Sequence, residues 1–503
     1  MSRLGQRNLA RLAEAVRERR GDYPALWFEG AWHRSGDLFE RGTRLAAGLA
    51  EAGVAPGERV VVLMENSPDV PVVYHAVARA GGVVTPVIFL TPAEELRRIV
   101  ADCEPALVLT SPSFADTVAA ATDGGIRVIS SPEELDELAV HDPAPIVPRA
   151  DDDLTALVYT GGTTGHSKGV MLTHANLWEA GRRGQEAGHA EGISRSLSCL
   201  PLSHVYGLLV LNVGMHEPKR HESVLMRWFD AETWLALAQE HRSQIAPLVP
   251  SMIGLLLAQP LEDFDLSELR YIASGAAPLA AEWLRALSER LPHVQLREGY
   301  GLTESSGLCS TNPPGRVKHG TVGPPVPGTE VRIVGEDDAE LPRGEPGEIC
   351  IRSELVMAGY WNDPELTAET LRGDWLHTGD IGRLDEDGYL TIVDRKKDVI
   401  IRGGFNVYPR DIEEALLEHP AVRAACVLGR PDPRHGEEVV AFVTLAEGSD
   451  LSPDDLVAFG KERLGGYKYP REINVLTALP LTPVGKPNRK ALREQLTVEG
   501  GTR

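Results

Sequence analysis

Residues 59–111 read RVVVLMENSPDVPVVYHAVARAGGVVTPVIFLTPAEELRRIVADCEPALVLTS. RVVVLMEN is a short apolar run of strand length, VVYHAVARAGG spaces its apolar residues like a helix, and VVTPVIF reads as strand again. PAEELRRIVADC then returns to helix and ALVLTS to strand. Short apolar strands alternating with helices predict βαβ units and a mostly parallel sheet covered on both faces. Upstream, GDLFERGTRLAAGLAEA (36–52) spaces apolar positions like a helix, and the turn-rich GVAPGE separates it from the first strand. The pattern resumes at 154–159 and continues to about residue 310, with helices over 231–242 and 279–291.

From about residue 320 the texture changes. GTVGPPVPGTEVRIV, GEPGEICIR and DGYLTIVDR read as short strands between Gly/Pro/Asp turns, a small β-subdomain. Beyond Asp394–Asp398 the chain predicts strand, helix (411–418), strand (422–428), strand (438–445), helix (452–464) and a Pro-rich end. That is an α+β unit of roughly 110 residues, large enough for its own core. The expected fold is therefore α/β: a large N-terminal domain, 1–394, with a small β-subdomain, followed by a small mobile α+β domain, 395–503. The boundary near Arg395 is where a ligand cleft is expected.

At 503 residues the chain is too long for one core. Seventy-three acidic against 51 basic residues give a net charge of −22, which argues against nucleic acid and anionic membranes as partners. The five cysteines are scattered without CxxC or Cys/His spacing, as expected of reduced, buried thiols. No apolar run approaches the roughly 20 residues that cross a bilayer. The N-terminal stretch lacks a long apolar core and carries Glu14, Glu18 and Asp22, so a cytoplasmic protein is expected. Only nine of the 51 basic residues are lysine, and none precedes Lys168. That scarcity directs attention to Lys168, Lys396, Lys397 and Lys486.

LTALVYT followed by GGTTGHSKGVMLTHANL places a Gly/Thr/Ser/Lys loop between a strand and an expected helix. Glycines let the main chain approach phosphates, hydroxyl and N–H groups donate to their oxygens, and a lysine neutralises charge. The stretch does not match GxxxxGK[ST] and on its own is equally a solvated loop. YIASGAAP (271–278) and GYGLTE (299–304) are strand-to-turn stretches. In the second, Tyr300 can stack on a flat base and Glu304 can hold Mg²⁺; the plainer readings are a buried tyrosine and a helix-start glutamate. WLHTGD offers Asp380 to a pair of ribose hydroxyls, DRKKD and RGGFNVYP concentrate charge at the expected boundary, and PLTPVGKPNRK sets Lys486 in a turn.

In this order, TGGTTGHSKG, LPLSHVYGL, SGAAPL, GYGLTE, WLHTGD, DRKKDVIIRGGFNVYP and PVGKPNRK resemble the motifs of the adenylate-forming acyl-CoA synthetases, from about residue 25 to 492. The resemblance implies two steps: a carboxylate attacks the α-phosphate of Mg·ATP to give an acyl-adenylate and pyrophosphate, and a thiol then displaces AMP. It implies that Thr160, Thr163, Thr164 and Lys168 hold the β- and γ-phosphates, and that Gly275, Ala276, Ala277 and Tyr300 frame adenine. Thr303 would contact the α-phosphate, Glu304 bind Mg²⁺, and Asp380 and Arg395 hold the ribose. Lys486 would reach the reacting oxygens, with Lys397 as the hinge and Gly403, Gly404 and Phe405 facing the pantetheine channel. His204 matches an aromatic gate between acid pocket and thiol channel; the alternative is a histidine packed at a strand end. Two positions depart from the family loop: Gly161 stands for a usual serine and Ser167 for a usual proline.

Amino-acid adenylation domains use an aspartate near SHVYG, where this chain has Leu202, Ser203 and Tyr206, so an amino acid is disfavoured. The apolar stretches 205–213 and 248–257, with Trp228 nearby, favour a medium- or long-chain aliphatic acid, with an aryl acid second. No arginine for a second carboxylate is evident, although the sequence does not place Arg297. The expected partners are a small carboxylic acid and the thiol of CoA, with the phosphopantetheine of an acyl-carrier protein as the alternative acceptor. The charged connection MHEPKRHESV (215–224) raises that alternative. The oligomeric state is open, a homodimer among the options.

Overall fold

The computed structural model describes residues 4–122, 124–161, 167–446, 448–464, 466–481 and 487–500. The chain divides into two compact units, one of Met1–Leu279, Ala286–Val331 and Ile351–Leu376, the other of Ala280–Arg285, Arg332–Cys350 and His377–Arg503.

In the first unit, the strands Arg59–Leu63, Val83–Pro86, Leu107–Thr110 and Arg127–Ile129 join Leu154–Gly161, Ser167–Thr173 and Gly359–Tyr360 in one seven-stranded sheet. The first four strands and Leu154–Gly161 pair in parallel. Successive side chains of a strand point to opposite faces, and this strand obeys that rule. Val60 and Val62 pack with Leu45 and Leu49 of helix Ser35–Glu51 and Val73 and Val77 of helix Asp69–Arg79. Val61 and Leu63 pack with Leu96, Ile99 and Val100 of helix Ala93–Cys103 on the other face. An eight-stranded sheet, parallel across its six central strands, carries Arg195–Ser198, Ile245–Leu248, Tyr271–Ser274 and Gln295–Tyr300.

The second unit holds the long antiparallel pair Val422–Asp432 and Gly436–Leu445, with Glu472–Leu476 parallel to the latter. Val427, Val439, Ala441 and Val443 face Ile412 and Leu416 of helix Pro409–Leu417 and Leu456 of helix Pro453–Arg463. Cys426, Leu428, Val440 and Phe442 face Leu492 and Leu496 of helix Arg489–Gly500.

One local expectation fails. The Gly/Thr/Lys loop does not run from strand into helix; it joins two antiparallel strands, Leu154–Gly161 and Ser167–Thr173, and the helix begins only at His174. The helix start is fixed by a capping box, in which Thr173 accepts from Asn176 N and Asn176 Oδ1 accepts from Thr173 N. The apolar residues of KGVMLT are contiguous, with Val170 and Leu172 in one core cluster and Met171 packed against the other, so the sequence carried no strand period to set against the helix formers behind them.

All five cysteines are free and buried. Burial pushes the thiols of Cys103, Cys199 and Cys426 up to about 12 and that of Cys350 up to about 11, so they are inert packing groups. Among the described residues no helix is long and apolar enough to cross a membrane.

Candidate active site

In the first unit, Lys168 lies on the strand that leaves the Gly/Thr loop, in register opposite Thr160. Its Nζ sits 5.5 Å from the ring centre of Tyr360. The phenol of Tyr360 donates to Glu304 Oε1 at 2.8 Å. Glu304 rides on the short turn Thr303–Ser305, whose Thr303 is buried. Lys168, Tyr360 and Glu304 thus form one chain of contacts, linking two of the motifs read from the sequence. Thr163 and Thr164 of the loop lie outside the described residues, as does Lys486.

The serine that replaces the usual proline has a visible consequence. Ser167 N donates to Glu95 Oε1 at 3.1 Å, tying the end of the loop to helix Ala93–Cys103. A proline has no N–H to give. On the other strand, Tyr159 donates to Asp102 Oδ2 at 2.5 Å, just before the loop begins.

SGAAPL follows strand Tyr271–Ser274. Ala276 sits at φ +68°, in the left-handed region that non-glycine residues seldom occupy and that often marks ligand contacts. Next to it, the Tyr206 ring lies against the main chain of Gly275, where a Cβ would stand 3.4 Å from Cε1. Tyr206 is anchored at its far end, donating to Ala273 O at 3.0 Å. His204 caps helix Val205–His216, its Nδ1 accepting from Tyr206 N at 3.1 Å. A structural duty therefore fixes the ring that the sequence assigns to a gate. Tyr300 ends strand Gln295–Tyr300, paired with Ser310.

Arg297 can now be placed. It is buried, stacked on Tyr271 at 4.3 Å, and donates to the carbonyls of Asn312, Gly188 and Ala187. Its guanidinium serves the main chain, so it does not argue for a dicarboxylic acid.

In the second unit, Asp380 and Arg395 face each other across an antiparallel strand pair, with Arg395 Nε 3.2 Å from Asp380 Oδ1. The Asp380 side chain is 8% exposed and that of Arg395 56%. Lys396 is engaged by Glu348 at 2.9 Å. Burial alone would raise the Glu348 carboxyl, but Lys396 and His377 hold it below the usual carboxylate range. Lys397 is exposed on the turn Lys396–Asp398. Gly403 and Gly404 take φ +59° and +82° in the turn between Ile400–Arg402 and Phe405–Val407. Phe405 is 58% exposed and stacks on Tyr467 with ring centres 5.0 Å apart.

The donor sets fit a magnesium nucleotide. In the first unit Glu304 offers a hard carboxylate linked through Tyr360 to the Lys168 ammonium, and in the second unit Asp380 offers acceptors suited to a diol. Residues 12–361 match the family model of AMP-binding enzymes, and 411–486 that of the AMP-binding enzyme C-terminal domain. The chain belongs to the AMP-binding enzyme family. The feruloyl-CoA synthase of Amycolatopsis sp is 39% identical over 458 residues, spanning 90% of this chain and 91% of that protein. The long-chain-fatty-acid–CoA ligase of Bacillus subtilis (strain 168) is 35% identical over 532 residues, spanning 95% and 92%. ATP-bound MatB from Rhodopseudomonas palustris superposes with a TM-score of 0.90 at 33% identity, covering 97% of this chain and 98% of that one. This AMP-binding enzyme is an ATP-dependent acid–CoA ligase that works with ATP, Mg²⁺ and CoA.

Sequence reasoning missed Tyr360, which touches Glu304 and Lys168, Glu348, which engages Lys396, and Glu95 and Asp102, which bond Ser167 and Tyr159 at the two ends of the loop. The visible signal for Tyr360 was its place in MAGYWND, an aromatic pair directly after a glycine that takes φ +144°.

Proposed function

We propose that the enzyme activates an apolar monocarboxylic acid with a planar aromatic body and transfers it to CoA. The observation that carries this reading is the Tyr206 ring, set against Gly275 and anchored by its bond to Ala273 O, an aromatic side chain beside the SGAAPL loop. The apolar runs that favoured a long aliphatic tail are largely engaged in packing: Leu208, Leu209, Ile253 and Leu256 are all buried. Their hydrophobicity therefore does not distinguish a tail pocket from core. The likeness to the feruloyl-CoA synthase supports the aromatic reading, and that to the long-chain ligase of Bacillus subtilis supports a fatty acid as the second.

In the first step a carboxylate oxygen bonds to the α-phosphorus as the bond to the pyrophosphate oxygen breaks. Thr160, Thr163, Thr164 and Lys168 hold the departing phosphates, Thr303 the α-phosphate, and Lys486 offsets the charge that gathers there. Glu304 holds Mg²⁺, which neutralises phosphate charge. Gly275, Ala276, Ala277 and Tyr300 frame adenine, and Asp380 and Arg395 the ribose. In the second step the CoA sulfur bonds to the acyl carbon, the bond to AMP breaks and the thiol proton is released. The domain 395–503 turns about Lys397 between the steps, with Gly403, Gly404 and Phe405 along the thiol path and His204 as gate.

CoA is favoured over a carrier protein because the charged connection is tied down. Arg20 donates to Gly214 O at 2.8 Å and to Met215 O at 3.0 Å, and Arg220 Nε donates to Arg20 O at 2.8 Å. Pyrophosphate release across arylpropenoic, benzoic and C6–C16 fatty acids, with CoA or a carrier protein as acceptor, tests the reading. The highest kcat/KM is expected with an arylpropenoic acid and CoA; a fatty acid ahead of every aryl acid would overturn the aromatic assignment.

A further inference from the structure

We propose that Tyr360 is a positioning residue for Mg·ATP, one side chain that sets Glu304 through its phenol and Lys168 through its ring face. The proposal rests on the magnesium role given to Glu304 and is independent of which acid is activated. Tyr360 is 7% exposed, and its phenol lies 2.8 Å from Glu304 Oε1. A hydrogen bond at one oxygen restrains the carboxylate and leaves the other oxygen available to a ligand. Among the described residues Glu304 Oε2 takes no hydrogen bond. The Lys168 ammonium over the same ring is within cation–π range.

The ring itself is held by a strap over 355–361. Ser306 Oγ donates to Leu355 O at 2.8 Å and Met357 N to Glu304 O at 2.9 Å, joining the strap to the turn that carries Glu304. Ala358 N donates to Met171 O at 2.9 Å and Trp361 N to Gly169 O at 2.7 Å, joining it to the strand that carries Lys168. A Cβ at Gly169 would lie 3.1 Å from Trp361 Cβ, so the glycine permits this close approach. The strap therefore fixes the separation of a metal carboxylate and a phosphate cation. Such separation is what a preorganised site requires.

Calorimetric binding of ATP, with Mg²⁺ and with EDTA and no acid present, tests the assignment on the full chain. Tyr360→Phe is expected to raise the Kd for Mg·ATP about tenfold, as for a lost hydrogen bond to a charged group, and to shift that for Mg-free ATP less than about twofold. Tyr360→Leu, which also removes the ring, should weaken Mg-free ATP as well. The double variant Tyr360→Phe/Glu304→Gln should bind no more weakly than Glu304→Gln alone, since the phenol acts through that carboxylate. Ser306→Ala cuts one strap bond and leaves Tyr360 in place, giving a second route should Tyr360→Phe fail to fold; about threefold weaker Mg·ATP binding is expected. A Tyr360→Phe chain with wild-type Mg·ATP affinity, an additive double variant or an unaffected Ser306→Ala would overturn the assignment. Wild-type protein that binds ATP no better with Mg²⁺ would overturn the magnesium role of Glu304 together with it.

Discussion

Around Glu304 and Lys168 the local main chain is stitched from several sides, whereas the turn Gly403–Phe405 is exposed. In the first region Tyr360, Met357, Ala358 and Trp361 each bond to the turn or the strand that bears a candidate residue. In the second, the paired strands Ile400–Arg402 and Phe405–Val407 and a bond from Gly403 N to His435 O frame a turn of two left-handed glycines, and Phe405 stays 58% exposed. Asp380 and Arg395 show the same contrast within one ion pair, a nearly buried carboxylate facing a half-exposed guanidinium. Under the proposed function the stitched region performs phosphate chemistry, where small displacements are costly. The exposed region meets its ligand only in the second step.

The sharpest test of this comparison is to remove Lys486, the group of the C-terminal segment assigned to the reacting oxygens of the first step. Lys486→Ala should slow adenylate formation by about 10²–10³-fold, the scale for losing one charge-stabilising group, while thioester formation from supplied acyl-AMP stays near wild type. Single-turnover assays of each half-reaction measure this. Equal loss in both would contradict the division of labour between the regions.

Acid should next separate the two units by stability. In the first unit, burial depresses His174 and His221, each to about 4. His174 Nδ1 accepts from Leu9 N, and the His221 ring bonds Ser196 Oγ at 2.9 Å. Their folded pKa values lie below the unfolded value of 6.5, so the stability they contribute is complete above that pH and is lost as pH falls toward 4. In the second unit, burial raises Asp394 and Glu413, whose contribution has the opposite sign and is lost as pH rises through their folded values. Hydrogen exchange at pH 5 against pH 7 should show first-unit amides losing protection before second-unit amides. His174→Gln should reduce the slope of stability with pH by about 1.4 kcal/mol per unit within that window, one proton's worth.

What the sequence made legible follows from what kind of information each feature carries. The parallel sheet was readable because buried strands and amphipathic helices each leave a local period, as Val60–Leu63 and Leu96–Val100 do. The order of motifs led to the family for the same reason: each is a contiguous string. Tyr360 was not readable because its meaning lies in partners at positions 168 and 304, brought together only by the antiparallel edge strand Gly359–Tyr360. The hairpin around the Gly/Thr loop was misread because a short strand ran directly into a capped helix. The apolar runs 205–213 and 248–257 do not decide between acids, since composition does not separate packing from a pocket.

The smallest expected effect bears on Ser167, one of the two departures from the family loop. Ser167 gives the loop an anchor that proline cannot, its N–H on Glu95. Proline would instead stiffen the main chain by fixing φ, so the two residues restrain the same turn by different means. Ser167→Pro should therefore change the KM for ATP by only about threefold to tenfold, the value of one hydrogen bond to a carboxylate, and leave kcat with saturating ATP nearly unchanged. Glu95→Ala should produce the same shift in the Ser167 background and none on top of Ser167→Pro, because the anchor is then already absent. If Glu95→Ala adds fully to Ser167→Pro, the two residues act separately. The tether between the loop and helix Ala93–Cys103 would then contribute nothing to ATP binding.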